Sequence, residues 1–178
     1  FLEGSLMLVA SKNENFLDQN IDWEFPIPIA YGPGRLSEIG LFCEQFQISN
    51  PLIITDEGSK NLPFINRLIT LLQKASIPSK LFFGISPNPR DDEIMAGCET
   101  YRSGKHDSII AIGGGSAMDG AKAIGMTVNS GANLWDFEYR KPSPKIGSKN
   151  CFPTFITVPT TAGTGAETES TAMITDTK

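Results

Sequence analysis

Histidine is nearly missing from this chain: His106 is the single one among 178 residues. A nitrogen-rich site for a transition metal needs several imidazoles, so none can be assembled from these residues. His106 lies in a Gly-Lys-His-Asp turn and reads as a solvated loop residue. Cysteine is almost as scarce. Cys43, Cys98 and Cys151 are odd in number and widely spaced, with no C-x-x-C pair. That pattern points to a reducing, cytoplasmic setting, with Cys43 and Cys98 as small buried hydrophobes on apolar helix faces. No apolar stretch approaches the roughly 20 residues that span a bilayer. A basic excess is missing too: the formal net charge of −5 argues against nucleic acid or an anionic membrane as partner. Phe1 to Met7 carry no charged region ahead of a long apolar segment, so they read as a trimmed end and not as a signal peptide.

What is present describes a globular protein, with 40% hydrophobic and 20% charged residues in a length that suits one domain with or without an appendage. Residues 1–24 are mixed and polar and read as a poorly ordered arm. Phe25 to Tyr31 alternates apolar residues with two prolines, as an edge strand or extended entry segment does. From Arg35, the positions Leu36, Ile39, Cys43 and Phe46 have helical spacing. Pro51 to Asp56 reads as a buried strand ending in a carboxylate. Pro63 suits a first helical turn, with Phe64, Ile65, Leu68, Ile69 and Leu72 as the apolar stripe behind it. Lys80 to Phe83 is a third strand, and Asp91 and Asp92 open a helix that presents Ile94, Cys98 and Tyr101. Residues 129–150 hold no periodic pattern and read as a solvated excursion. Phe155 to Val158 returns as a strand. Strands separated by helices of this length imply an α/β fold, a parallel sheet with helices on both faces, Rossmann-like in kind.

The richest segment is Gly113 to Gly125. It follows the apolar run Ser108 to Ile112, a strand for the middle of a parallel sheet, and opens a helix. Three consecutive glycines let the backbone turn sharply and bring N–H groups close to a bulky anion. A helix starting at Ser116 adds unpaired N–H groups and the positive end of its dipole. Ser116 and Asp119 have the spacing of a capping box, and Gly120 and Gly125 point to close packing, either of helix on sheet or of backbone on ligand. The plain alternative is a buried glycine turn with no ligand.

Ligands in such folds bind beyond the carboxyl ends of the strands. Asp56, Asn88, the glycine cluster and the Thr160–Thr164 loop each follow a strand in this reading. Asp56 can accept hydrogen bonds from a ribose diol and repel a 2′-phosphate, or serve an ordinary turn. Asn88, between two prolines, can aim its amide at a cofactor or simply turn the chain. Thr160, Thr161 and Thr164 offer hydroxyls to phosphate, ribose or carboxamide, or to nearby backbone.

Gly-Gly-Gly-Ser-x-x-Asp-x-x-Lys at 113–122, followed by Pro-Thr-Thr-Ala-Gly-Thr-Gly-Ala-Glu at 159–167, closely resembles the iron-containing (group III) alcohol dehydrogenase family. Gly32 to Arg35, Ile54 to Asp56, Pro87 to Pro89 and Leu134 to Phe137 look like its other landmarks, in the same order. The resemblance covers residues 23–178 and implies an amino-terminal NAD-binding α/β domain, here residues 25–178. It also implies an all-helical carboxy-terminal domain holding a divalent metal, usually iron, on one Asp and three His, all expected beyond Lys178. The cofactor-binding residues so implied are Asp56, Asn88, Gly113, Gly114, Gly115, Ser116, Asp119, Thr160, Thr161 and Thr164, with Asp119 mainly capping and Lys122 left without a role. The complete protein would pass a hydride between NAD(H) and a small alcohol or aldehyde, and homo-oligomers are compatible with it. These 178 residues alone are expected to hold the cofactor and not to turn over. The rival readings are a glycerol dehydrogenase or maleylacetate reductase relative, a non-catalytic nucleotide-binding module, and a structural domain with no ligand.

Overall fold

Apolar runs and helical stripes resolve into strands alternating with helices in a computed structural model that describes residues 21–24, 27–147 and 152–178. The chain divides into two compact units, residues 1–35 and 36–178. In the first, β1 (Ile21–Glu24) pairs antiparallel with β2 (Pro28–Tyr31), Ile21 opposite Tyr31 and Glu24 opposite Pro28. The last residues of the expected polar arm are therefore a strand. Pro28 sits at the first position of its strand, where a missing N–H is tolerated.

The second unit carries a four-stranded parallel sheet in the order β4-β3-β5-β6, formed by β3 (Pro51–Asp56), β4 (Lys80–Ile85), β5 (Ser108–Gly113) and β6 (Thr154–Pro159). Its helices are α1 (Ile39–Gln45), α2 (Pro63–Lys74), α3 (Asp91–Ser103) and α4 (Gly115–Thr127). A 3-10 turn, Arg35–Glu38, leads into α1, so the expected helix begins more tightly wound than an α-helix. Pro63 opens α2 as expected. Glu93 reaches back to the N–H of Arg90 (3.0 Å) and caps α3. Within the expected excursion, Leu134–Phe137 form a second 3-10 turn.

The pleat sorts the two central strands between two cores. Leu52, Ile54, Ile109 and Ala111 face α3 and α4, packing with Ile94, Cys98, Met118 and Ile124. Ile53, Ile110 and Ile112 face the other way, against Ile39, Cys43, Ile65, Leu68 and Leu72 of α1 and α2. Helices thus cover both faces, and β3 and β5 are apolar throughout because neither face meets water. Cys43 and Cys98 are buried free thiols, each pushed up to about 11, by burial first and, at Cys43, by Asp107 as well. Cys151 lies outside the described residues.

His106 corrects the sequence reading. It is only 8% exposed, and its Nδ1 donates to the Asn50 carbonyl at 2.9 Å. The ring lies 6.0 Å from that of Tyr101, and Nε2 is buried without a partner, set against Gly104. Gly104 leaves the space that the imidazole fills, and so a turn residue becomes a packed one.

Candidate cofactor site

Strand order reverses between β3 and β5: the connection through α2 leaves β3 for one side, and that through α4 leaves β5 for the other. In open α/β sheets, such a reversal is where ligands bind, outside the carboxyl ends of the strands. Asp56 ends β3 and Gly113 ends β5, so both stand at that edge.

Gly113 has φ +149, where a side chain is strained, and a Cβ there would lie 2.7 Å from the Ala117 Cβ and 3.1 Å from Asp56 Oδ2. The Asp56 carboxylate is half-buried and organises its own turn. Oδ1 accepts the Ser59 N–H (2.9 Å) and Oδ2 the Ser59 hydroxyl (2.8 Å). Both oxygens keep further lone pairs for a diol.

Helix α4 starts two residues earlier than the capping-box spacing predicts. Gly114 is the N-cap, in an extended conformation, and no side chain caps the helix. The expected capping pair is spent elsewhere. Ser116 Oγ donates to the Pro87 carbonyl at 2.6 Å, while Asp119 accepts the Met173 N–H at 3.1 Å and pairs with Lys122 at 3.1 Å. With no side chain capping them, the first N–H groups of α4 remain available to an anion.

The threonine loop folds onto the glycine loop. Thr160 donates its N–H to the Gly113 carbonyl (2.9 Å). A Cβ on Gly114 would meet Thr161 Oγ1 at 3.2 Å, and one on Gly115 would meet Thr164 Cγ2 at 3.3 Å. Thr160, Thr161 and Thr164 are all exposed, and Thr164 Oγ1 accepts the Ala166 N–H (3.4 Å). Asn88 is exposed on a loop tied to α4 through the Ser116–Pro87 bond, and its carbonyl accepts the Ser86 hydroxyl (2.9 Å). All four expected loops are therefore brought to one edge of the sheet. Two organising residues escaped the sequence reading. Ser59 completes the Asp56 turn, a pattern visible as Asp-x-x-Ser, and Glu93 accepts both the N–H (3.2 Å) and the hydroxyl (3.1 Å) of Ser86.

Of the two helix glycines, Gly120 is required by packing, since a Cβ there would sit 2.7 Å from Ile85. At Gly125 the nearest atoms are 3.4 Å away, an ordinary contact, so the close packing expected there is not needed.

Residues 26–178 match the family model described as iron-containing alcohol dehydrogenase. The chain belongs to that family. It is 34% identical over 154 residues to a choline dehydrogenase of Bacillus subtilis, covering 86% of this chain and 38% of that protein. The fold matches a crystal structure of 1,3-propanediol oxidoreductase with a TM-score of 0.73 at 28% identity, over 82% of this chain and 37% of that one. It also matches a sulfoacetaldehyde reductase from Bifidobacterium kashiwanohense solved in complex with NAD+, with a TM-score of 0.65 at 30% identity, over 76% of this chain and 35% of that one. The chain thus spans well under half the length of these family members. Among the described residues, no three His, Cys, Asp or Glu side chains come together to hold a metal. The lone imidazole is enclosed at the amino end of β5, the opposite edge of the sheet. These residues do not fit the iron of the family's name. Nor is any helix among the described residues long and apolar enough to cross a membrane.

Proposed function

We propose that this chain binds NAD(H) across the carboxyl ends of β3, β5 and β6 and forms the cofactor half of a metal-dependent alcohol dehydrogenase acting on a small alcohol or aldehyde. One observation carries the reading: Asp56, the uncapped start of α4 and the Thr161–Thr164 hydroxyls meet where the strand order reverses. When bound, the nicotinamide supplies or accepts the hydride. The chain's own residues bind and orient. The N–H groups of Gly114, Gly115 and Ser116 would hold the diphosphate, backbone dipoles substituting for a basic field in an acidic protein. Asp56 would accept from the ribose diol and turn away a 2′-phosphate, favouring NAD over NADP. Thr160, Thr161, Thr164 and the Asn88 amide would supply polar contacts along the remainder. A cytoplasmic setting agrees with the buried, unpaired thiols of Cys43 and Cys98.

The test is a fluorescence titration with NADH and, in parallel, NADPH. The wild-type chain is expected to saturate with NADH and to bind NADPH at least tenfold more weakly, with Asp56→Ala narrowing that gap. Gly115→Asp should keep the fold, because a carboxylate in a first helical turn favours the dipole by about 0.3–1 kcal/mol. It should abolish binding, because the same charge repels a diphosphate. Identical behaviour of wild type and Gly115→Asp would defeat the assignment.

A further inference from the structure

Lys122 lies two turns into α4 and pairs with Asp119 one turn before it. A solvated pair at this spacing contributes little and asks nothing of the rest of the chain. This pair is different: the side chains are only 15% and 17% exposed. Lys122 Nζ donates to the backbone carbonyls of Glu169 (3.3 Å) and Thr171, and Asp119 Oδ2 accepts the backbone N–H of Met173 (3.1 Å). Three charge-assisted bonds therefore run from one helix face to a segment about fifty residues away.

That segment is the carboxyl side of the threonine loop. The loop leaves β6 with Thr160 bonded to Gly113, and Gly163 and Gly165 bend it through φ +96 and +67. Beyond it, Ala166 is buried, Ile174 packs on the α3–α4 core, and Thr175 bonds with Pro89 (2.7 Å) and Asp91 (3.1 Å) at the head of α3. Thr161 and Thr164 can face Gly114 and Gly115 only if both sides of the loop are held. The Gly113 carbonyl holds one side, and the Lys122–Asp119 pair holds the other.

We propose that Lys122 and Asp119 are positioning residues that strap residues 169–173 to α4 and thereby set the threonine loop over the glycine loop. The effect on cofactor rests on the NAD(H) reading above; the strap itself does not. Because its contacts on residues 169 and 171 are to backbone, side-chain identity there is immaterial to it.

Amide hydrogen exchange and NADH titration on this chain test the strap together. In Lys122→Met, exchange at Thr168, Glu169 and Met173 should rise about tenfold, as when a charge-assisted bond is lost. Exchange at Ile109 to Ala111 should stay at the wild-type rate. NADH should bind several-fold more weakly. Lys122→Arg should recover both readouts at least in part, and Thr171→Ala should match wild type. If Lys122→Met does not fold, Asp119→Asn, of the same shape, serves with the same expectations. Unchanged exchange in residues 168–173 would overturn the strap, as would an equal rise across β5. A loosened loop with wild-type NADH affinity would overturn its bearing on the cofactor. A wild-type chain that does not bind NADH overturns the cofactor reading, and the exchange rates still decide the strap.

Discussion

At Gly113 two independent demands coincide: a φ of +149 and a Cβ position 2.7 Å from Ala117. Gly131, with φ +75 and nothing within 4 Å, carries only the first. Gly113→Ala is therefore expected to cost about 3 kcal/mol or more, strain and overpacking together. Gly131→Ala should cost about 1 kcal/mol. Urea denaturation of both variants checks the difference, and equal losses would show that the crowding at Gly113 relaxes freely. The need for glycine at 113–115 was legible in the sequence as a turn, but its detail was not. Ala117 and Asp56 crowd the vacant Cβ position of Gly113, while those of Gly114 and Gly115 are met by a loop nearly fifty residues later. His106 shows the same limit. A polar turn in sequence is enclosed in space because Asn50 and Tyr101 approach it from other elements.

Helices and strands were legible where one physical signal dominates. The stripe of α2 needs only 3.6-residue spacing, and Ile65, Leu68 and Leu72 are indeed its buried residues. Leu68→Ala should cost about 2–5 kcal/mol, because the cavity opens among fully buried neighbours. Asn66→Ala on the exposed face of the same helix should stay within about 0.5 kcal/mol. Thermal unfolding of the pair tests the assignment, which fails if the two variants melt together. The start of α4 was misread because local spacing cannot weigh rival acceptors. Ser116 and Asp119 could cap the helix, yet Pro87, Lys122 and Met173 offer them partners that the folded chain brings within reach.

Across the whole sheet, the edge opposite the cofactor site is gathered on Asp107. Burial raises its carboxyl, but hydrogen bonds from Ser108 and Ser49 and from the N–H groups of Ser49 and Asn50 outweigh that and leave it below the usual range. A carboxyl lowered on folding stabilises the protein above its unfolded value of about 3.9. That contribution is lost as pH falls through the lower folded value. Acid unfolding of wild type should therefore be steeper below about pH 4 than that of Asp107→Asn, which has no carboxylate to titrate. Equal pH dependence would remove Asp107 from this role. By itself the sequence determined the alternation of strands and helices, the two-faced burial of β3 and β5, and the loops that end at one edge. These follow from hydrophobic period, proline and glycine, which act within a few residues. Only the tertiary structure decided that Thr161 and Thr164 cover the glycine loop, that Lys122 and Asp119 hold the segment behind them, and that His106 is buried. Those contacts join residues far apart in the chain, and their energies exist only once the sheet has brought them together.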